Sequence, residues 1–235
     1  MKLTAPQIEH LFTFTRQHYV EWYDLQSELV DHLANAIETQ WQENPKLSFD
    51  EALNIEFKKF GVFGFMDVVE KRQAVLRKKY NGLVWEHIKG FFGIPKIVLT
   101  ITMTLVLFSI LKVSIYSGWI FMGLYLILMV FSFYKIFKNR KKKQLKAQTK
   151  EKIWLFEEII NQYGSIAGII VLPFNIFNQL IDQTDNFFGN VYWVLGLSFF
   201  SVVFFILVFI IFKIIPAKTE EYLLATYPEY KLEKL

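Results

Sequence analysis

The sequence predicts an all-α membrane protein: a small N-terminal cytoplasmic helical domain followed by a four-helix transmembrane bundle. Three observations carry that reading. Two long apolar runs precede a basic stretch and two follow it. The stretch from Lys135 to Lys152 holds nine Lys/Arg (Lys135, Lys138, Arg140, Lys141, Lys142, Lys143, Lys146, Lys150, Lys152) against Glu151 alone, a net +8 in a chain that totals +4. Residues 1–70 repeat apolar side chains at helical spacing and carry twelve Asp/Glu against five Lys/Arg. Lys and Arg beside span ends resist translocation, so a basic stretch between apolar runs is expected on the cytoplasmic side.

Composition narrows the function classes. The chain has 235 residues, of which 53% are hydrophobic and 25 are Phe, heavy for a soluble fold and ordinary for helices that meet lipid. There is no Cys, which removes disulfides, thiolate metal sites and cysteine nucleophiles together. The N-terminus, MKLTAPQIEH, lacks the apolar core of a signal peptide, so the first membrane segment is internal and the N-terminal region is expected to stay in the cytoplasm. Despite a pI near 9.0, direct nucleic-acid binding is not expected, because the acidic N-terminal region would repel a phosphate backbone.

Taken in order, Thr4-Ala5-Pro6-Gln7 reads as a helix start, with Thr4 as cap, Pro6 in the first turn and Gln7 as capping-box partner. Ile8, Leu11, Phe12 and Phe14 give that helix an apolar face to about Gln17. Leu25, Leu29, Leu33, Ile37 and Trp41 recur every four residues and predict the clearest helix of the domain, capped by Asp24 and ended by Pro45. Ser48-Phe49-Asp50-Glu51 is a capping box for a third helix to Phe60, with Gly61 just past its end. A fourth helix runs to about Tyr80, and Asn81-Gly82 is expected to interrupt it. These helices make a domain over residues 1–82. Residues 83–96 form an amphipathic connector with Trp85, expected at the inner membrane surface.

Several of these residues fall in a familiar order: Tyr23-Asp24-Leu25, Glu28-Leu29-Val30-Asp31-His32-Leu33, Leu47-Ser48-Phe49-Asp50-Glu51-Ala52 and Lys59-Phe60-Gly61. In this order the region of about residues 5–80 resembles the HAAS-type helical signalling domain, which joins an "EL…HL" helix to an "S-x-x-E-A" helix. The usual Gly-x-Pro step after Gly61 is replaced here by Val62-Phe63-Gly64-Phe65. The resemblance implies a cytoplasmic signalling module ahead of a four-span bacterial membrane region, similar to membrane proteins linked with PadR-like transcriptional regulators.

Four spans follow, at 97–116, 119–137, 165–181 and 191–212, each near the ~20 residues a bilayer requires. The basic residues 138–152 form the cytoplasmic loop between the second and third, and residues 216–235 a cytoplasmic tail broken at Tyr227-Pro228. The outer connections hold one cation, Lys112. Trp119 and Trp193 sit at the outer edges, Trp85 and Trp154 at the inner. The expected location is therefore the inner (cytoplasmic) membrane, multi-pass, with both termini cytoplasmic.

Three groups of residues are candidates for function. Glu28, Asp31 and His32, with Glu38 further along, lie on the polar face of the second helix. The i, i+4 spacing of Glu28 and His32 can ligate a metal, but no third ligand is visible, so a solvated acidic face that docks a protein partner is the better reading. Asn175, Asn178 and Gln179 form a polar patch on the third span. Interhelical hydrogen bonding explains it more simply than an ion path. Arg140, Lys141, Lys142 and Lys143 set topology and attract anionic lipid heads. Nothing resembles a phosphate-binding Gly-rich loop, a nucleophile elbow or a zinc signature, so no cofactor, metal or catalytic residue is assigned. The expected function is a non-enzymatic membrane regulatory or adaptor protein. The alternative is a small transporter, or an accessory subunit of a larger membrane complex, that uses the polar patch. Four spans make a thin bundle, which a homo-oligomer or a companion protein would thicken.

Overall fold

The computed structural model describes residues 2–149, 151–163 and 190–231. All regular structure among them is helical. The elements are α1 (Ala5–Gln17), α2 (Tyr23–Glu43), α3 (Phe49–Lys58), α4 (Met66–Phe92), α5 (Lys96–Val113), α6 (Ser117–Gln148), α7 (Leu155–Tyr163), α8 (Val191–Phe209) and α9 (Thr219–Thr226). A short 3-10 helix, Pro228–Lys231, follows α9. The chain divides into two compact units.

The first unit contains Met1–Lys78, Lys146–Glu158 and Tyr227–Leu235. Its core is the predicted stripe of α2: Leu25, Leu29, Leu33, Ile37 and Trp41 are all buried, with α1 and α3 packed against α2. A period of four residues keeps such side chains on one face, so one helix serves two neighbours. Both capping boxes are present. The Thr4 backbone N–H donates to Gln7 Oε1 at 2.8 Å. Ser48 Oγ accepts from the Glu51 backbone N–H at 3.3 Å, and the Ser48 N–H donates to Glu51 Oε2 at 3.1 Å. Gly61 and Gly64 sit at φ +76° and +56°, the left-handed region that a side chain resists. They turn the chain so that Phe65 enters the core against Phe57, Phe60 and Phe14, while Val62 and Phe63 stay exposed.

The second unit contains Lys79–Leu145 and Ile159–Thr226. Three of its helical stretches are long and apolar enough to cross a membrane: Lys96–Val113, Ser117–Lys146 and Val191–Ala217. α5 and α8 pack together. The face of α5 that carries Thr100, Thr104, Leu107 and Leu111 is buried, as is the face of α8 that carries Val194, Ser198, Val202 and Ile206. The buried hydroxyls bond back one turn: Thr104 to the Thr100 carbonyl at 2.8 Å and Ser198 to the Val194 carbonyl at 2.7 Å. That satisfies them where no water is available. Ile136 packs with Val208, Ile211 and Phe212, flanked by Val84 and Leu128. The outward faces carry Val98, Ile101, Val106, Ile127, Val130 and Phe200 in the open, an apolar surface suited to lipid rather than to water.

Several boundaries differ from the sequence reading. The first span, expected to reach 116, ends at Val113, and α6 begins at Ser117, two residues before the expected start. The expected interruption at Asn81-Gly82 is absent, because α4 runs unbroken through both. One glycine costs a helix only about 1 kcal/mol, which flanking helix formers absorb. The second span does not end at Phe137 in a loop. α6 continues to Gln148, so residues 138–148 of the basic stretch are helical. Lys, Arg and Gln are good helix formers, no breaker intervenes, and cations suit a helix C-terminus. The last span passes Lys213: after α8 a π turn, Ile210–Ile214, leads into a final turn, Ile215–Ala217. The Ile215 N–H reaches the Ile210 carbonyl, the wider register that accommodates Pro216 one residue on. The third helix ends at Lys58, two residues before Phe60. The expected third span, 165–181, lies outside the described residues.

Candidate functional site

The first four N–H groups of a helix have no partner inside it. α2 and α7 answer that need for each other. At the start of α2 the Tyr23 N–H donates to the Ile153 carbonyl at 2.8 Å. At the start of α7 the Leu155 N–H donates to Asp24 Oδ1 at 3.0 Å. Asp24 was expected to cap α2. The structure places it one position inside that helix, where its carboxylate caps α7 instead. The start of α2 already has a tertiary acceptor in the Ile153 carbonyl, so the Asp24 carboxylate is available to the buried start of α7.

The start of α7 gathers further polar partners. Glu157 pairs with Lys146 at 2.7 Å. Glu158 accepts the Trp22 indole N–H at 2.6 Å. Both acids are buried, and both stand in the first turn, where negative charge opposes the helix dipole favourably. They look like interruptions in the apolar pattern of the sequence; each is matched by a donor from a distant segment.

Rings close the site. Trp154, expected at the inner membrane edge, is 3% exposed within the first unit. Its ring centroid lies 5.4 Å from Tyr23, 4.8 Å from Tyr227 and 5.3 Å from Tyr230. Lys152 Nζ stands 4.0 Å over the Tyr23 ring, a cation–π placement. The Tyr227 hydroxyl is buried near the Asp24 carboxylate, and among the described residues neither it nor Asp24 Oδ2 completes a hydrogen bond.

Burial acts on two titratable groups of this cluster. Burial pushes the Asp24 carboxyl above its ordinary range, opposed by the Leu155 N–H, the Tyr227 hydroxyl and the Arg72 charge. Burial, helped by the Asp24 charge, drives the Tyr227 phenol far above its ordinary value. Tyr227 is therefore a neutral donor at any physiological pH. The chemistry on offer is recognition: a buried phenol beside a carboxylate, between aromatic faces.

Asp24 can be tested directly. Asp24→Ala removes the α7 cap and should cost about 1 kcal/mol. Asp24→Asn keeps an Oδ1 acceptor and removes a desolvated charge, so its thermal midpoint should equal or exceed that of the wild type. The folded-state pKa is raised, so proton uptake favours the folded form, and the wild type loses stability as pH rises through that pKa. The advantage of Asp24→Asn should therefore be largest above the raised pKa and shrink on acidification. Thermal unfolding of the three proteins across pH checks this.

The sequence-predicted residues lie elsewhere. Glu28, Asp31 and His32 are exposed together on α2, with His32 also 6.0 Å edge-on to Phe60. Glu38 does not join them: its carboxylate accepts the Leu3 N–H at 2.8 Å and so ties down the N-terminal strand of chain before α1. Arg140, Lys141, Lys142 and Lys143 are exposed on the last turns of α6. Asn175, Asn178 and Gln179 lie outside the described residues. Among the described residues, no three His, Cys, Asp or Glu side chains gather as a metal site. The cluster of Asp24, Trp154 and Tyr227 left no mark in the sequence except Pro228, which signals a bend beside Tyr227.

Comparison with protein-family models, curated proteins and solved structures finds no match for this chain.

Proposed function

We propose that this chain is a non-enzymatic, integral membrane regulatory or adaptor protein whose acidic helical unit lies in the cytoplasm and binds a protein partner. The observation that carries the proposal is the joining of Asp24 to Leu155 and of Trp154 to Tyr227 in one compact unit. A unit of that kind lies on one side of a membrane. Between residues 78 and 146 the chain passes through two long apolar helices and returns to it. Between residues 158 and 227 it passes through Val191–Ala217 and returns again, and a return takes an even number of crossings. Parity therefore supports a four-span layout, with 165–181 as the remaining crossing. The charge of α6 supports the side: its exposed Arg140, Lys141, Lys142 and Lys143 favour the cytoplasmic face of the inner membrane and anionic lipid heads there.

The partner face follows from α2. One side of this helix is spent on the core, and the side with Glu28, Asp31 and His32 faces solvent. The HAAS-type resemblance of residues 5–80 supports a signalling role for that face. The test uses the intact chain, since a fragment of residues 1–90 would lack Trp154 and Tyr227. The protein is purified from native membranes in mild detergent, beside a Glu28→Lys/Asp31→Lys variant. A stoichiometric protein should be retained by the wild type, and its affinity should fall at least tenfold in the variant, about 1.4 kcal/mol. Equal retention by both would refute the acidic face as the docking surface.

A further inference from the structure

α9 ends at Thr226, and the five residues that follow are held as a peptide would be. Pro228 keeps Tyr227 extended. The Tyr230 N–H then bonds the Tyr227 carbonyl at 3.1 Å, closing a 3-10 turn. In that geometry residues three apart lie on the same side, so both tyrosines present their rings to Trp154. The slot that receives them is made wholly of other segments: Tyr23 and Asp24 from α2, Trp154 and Phe156 at the start of α7. Asp24 lies beside the phenol of Tyr227 at the floor, and Trp154 forms an aromatic wall against both tyrosine rings. The slot's own framework, the Asp24–Leu155 and Tyr23–Ile153 hydrogen bonds, does not involve the tail.

We infer that this slot is a peptide-recognition site for a Tyr-Pro-x-Tyr segment, occupied in cis by the chain's own Tyr227–Tyr230 and thereby closed to a competing segment of the same chemistry. The occupied state is a latch: a partner segment enters only by displacing the tail. The site is distinct from the acidic face of α2, so the two can succeed or fail separately.

The test is binding of a labelled peptide with the sequence of residues 226–231, Thr-Tyr-Pro-Glu-Tyr-Lys, to detergent-solubilised protein. A chain ended at Thr226 should bind the peptide saturably at one site. For a peptide Kd of about 10 μM the intact chain should bind it roughly 100-fold more weakly, because a tethered segment competes at about millimolar effective concentration. A peptide with Ala in place of the first Tyr should not bind, and Glu28→Lys/Asp31→Lys should leave binding unchanged. A shortened chain that keeps the helical circular dichroism of the intact one and binds no peptide would overturn the inference. So would equal binding by the intact and shortened chains. If shortening unfolds the protein, the intact chain with Tyr227→Ala takes its place under the same criteria. Unfolding of both would make the tail part of the core, which also overturns the inference.

Discussion

Trp154→Ala should cost the helical unit about 3–5 kcal/mol, the range for removing a buried large aromatic. The Trp154 ring touches both Tyr23 at the start of α2 and Tyr227 with Tyr230 in the tail. Its removal leaves a cavity directly beside the Asp24 cap, so the start of α7 should loosen along with the tail. Near-ultraviolet circular dichroism and chemical unfolding of the solubilised protein read both effects. Trp85→Ala is the matched control. Trp85 is 58% exposed, and its loss should change unfolding by less than about 0.5 kcal/mol. Equal effects of the two substitutions would contradict the placement of Trp154.

Phe65→Ala should be of similar size, about 3–5 kcal/mol. Phe65 is 1% exposed and meets Phe57 at 5.0 Å, Phe60 at 4.8 Å and Phe14 at 6.2 Å between centroids. It thus joins the ends of α1 and α3 to the beginning of α4. Phe63, two residues earlier, is 73% exposed, and Phe63→Ala should leave stability nearly unchanged. The turn explains the contrast. Gly64 has φ +56°, and a Cβ there would come within 3.0 Å of the Phe57 ring, so the chain reverses with one phenylalanine out and the other in. Unfolding curves of the two alanine variants, run side by side, check the assignment.

These contrasts mark the limit of reading the chain from its residues. The stripe from Leu25 to Trp41 was legible because a helix converts a period of four into one buried face. The capping boxes at Thr4 and Ser48 were legible because their partners stand three residues away. The apolar helices were legible from length and composition alone. The reciprocal caps of α2 and α7 were not, since Asp24 and Leu155 are 131 positions apart and no local pattern links them. Trp85 and Trp154 look alike in sequence, each in an amphipathic stretch beside a span, and only the packing of Tyr23, Tyr227 and Tyr230 separates them. The basic stretch was read as a loop because its charge speaks of membrane side; its helix propensity, which decides its conformation, points to a continuation of α6.

The account rests on residues 1–78, 146–158 and 227–231 sharing the cytoplasmic side. The chain has no Cys, so single cysteines can be introduced one at a time at exposed positions and probed with a membrane-impermeant maleimide. Tyr116→Cys should react in intact cells. Asp31→Cys, Lys141→Cys and Lys231→Cys should react only after the membrane is permeabilised. Reaction of Lys141→Cys in intact cells, or a split between Asp31→Cys and Lys231→Cys, would contradict the account.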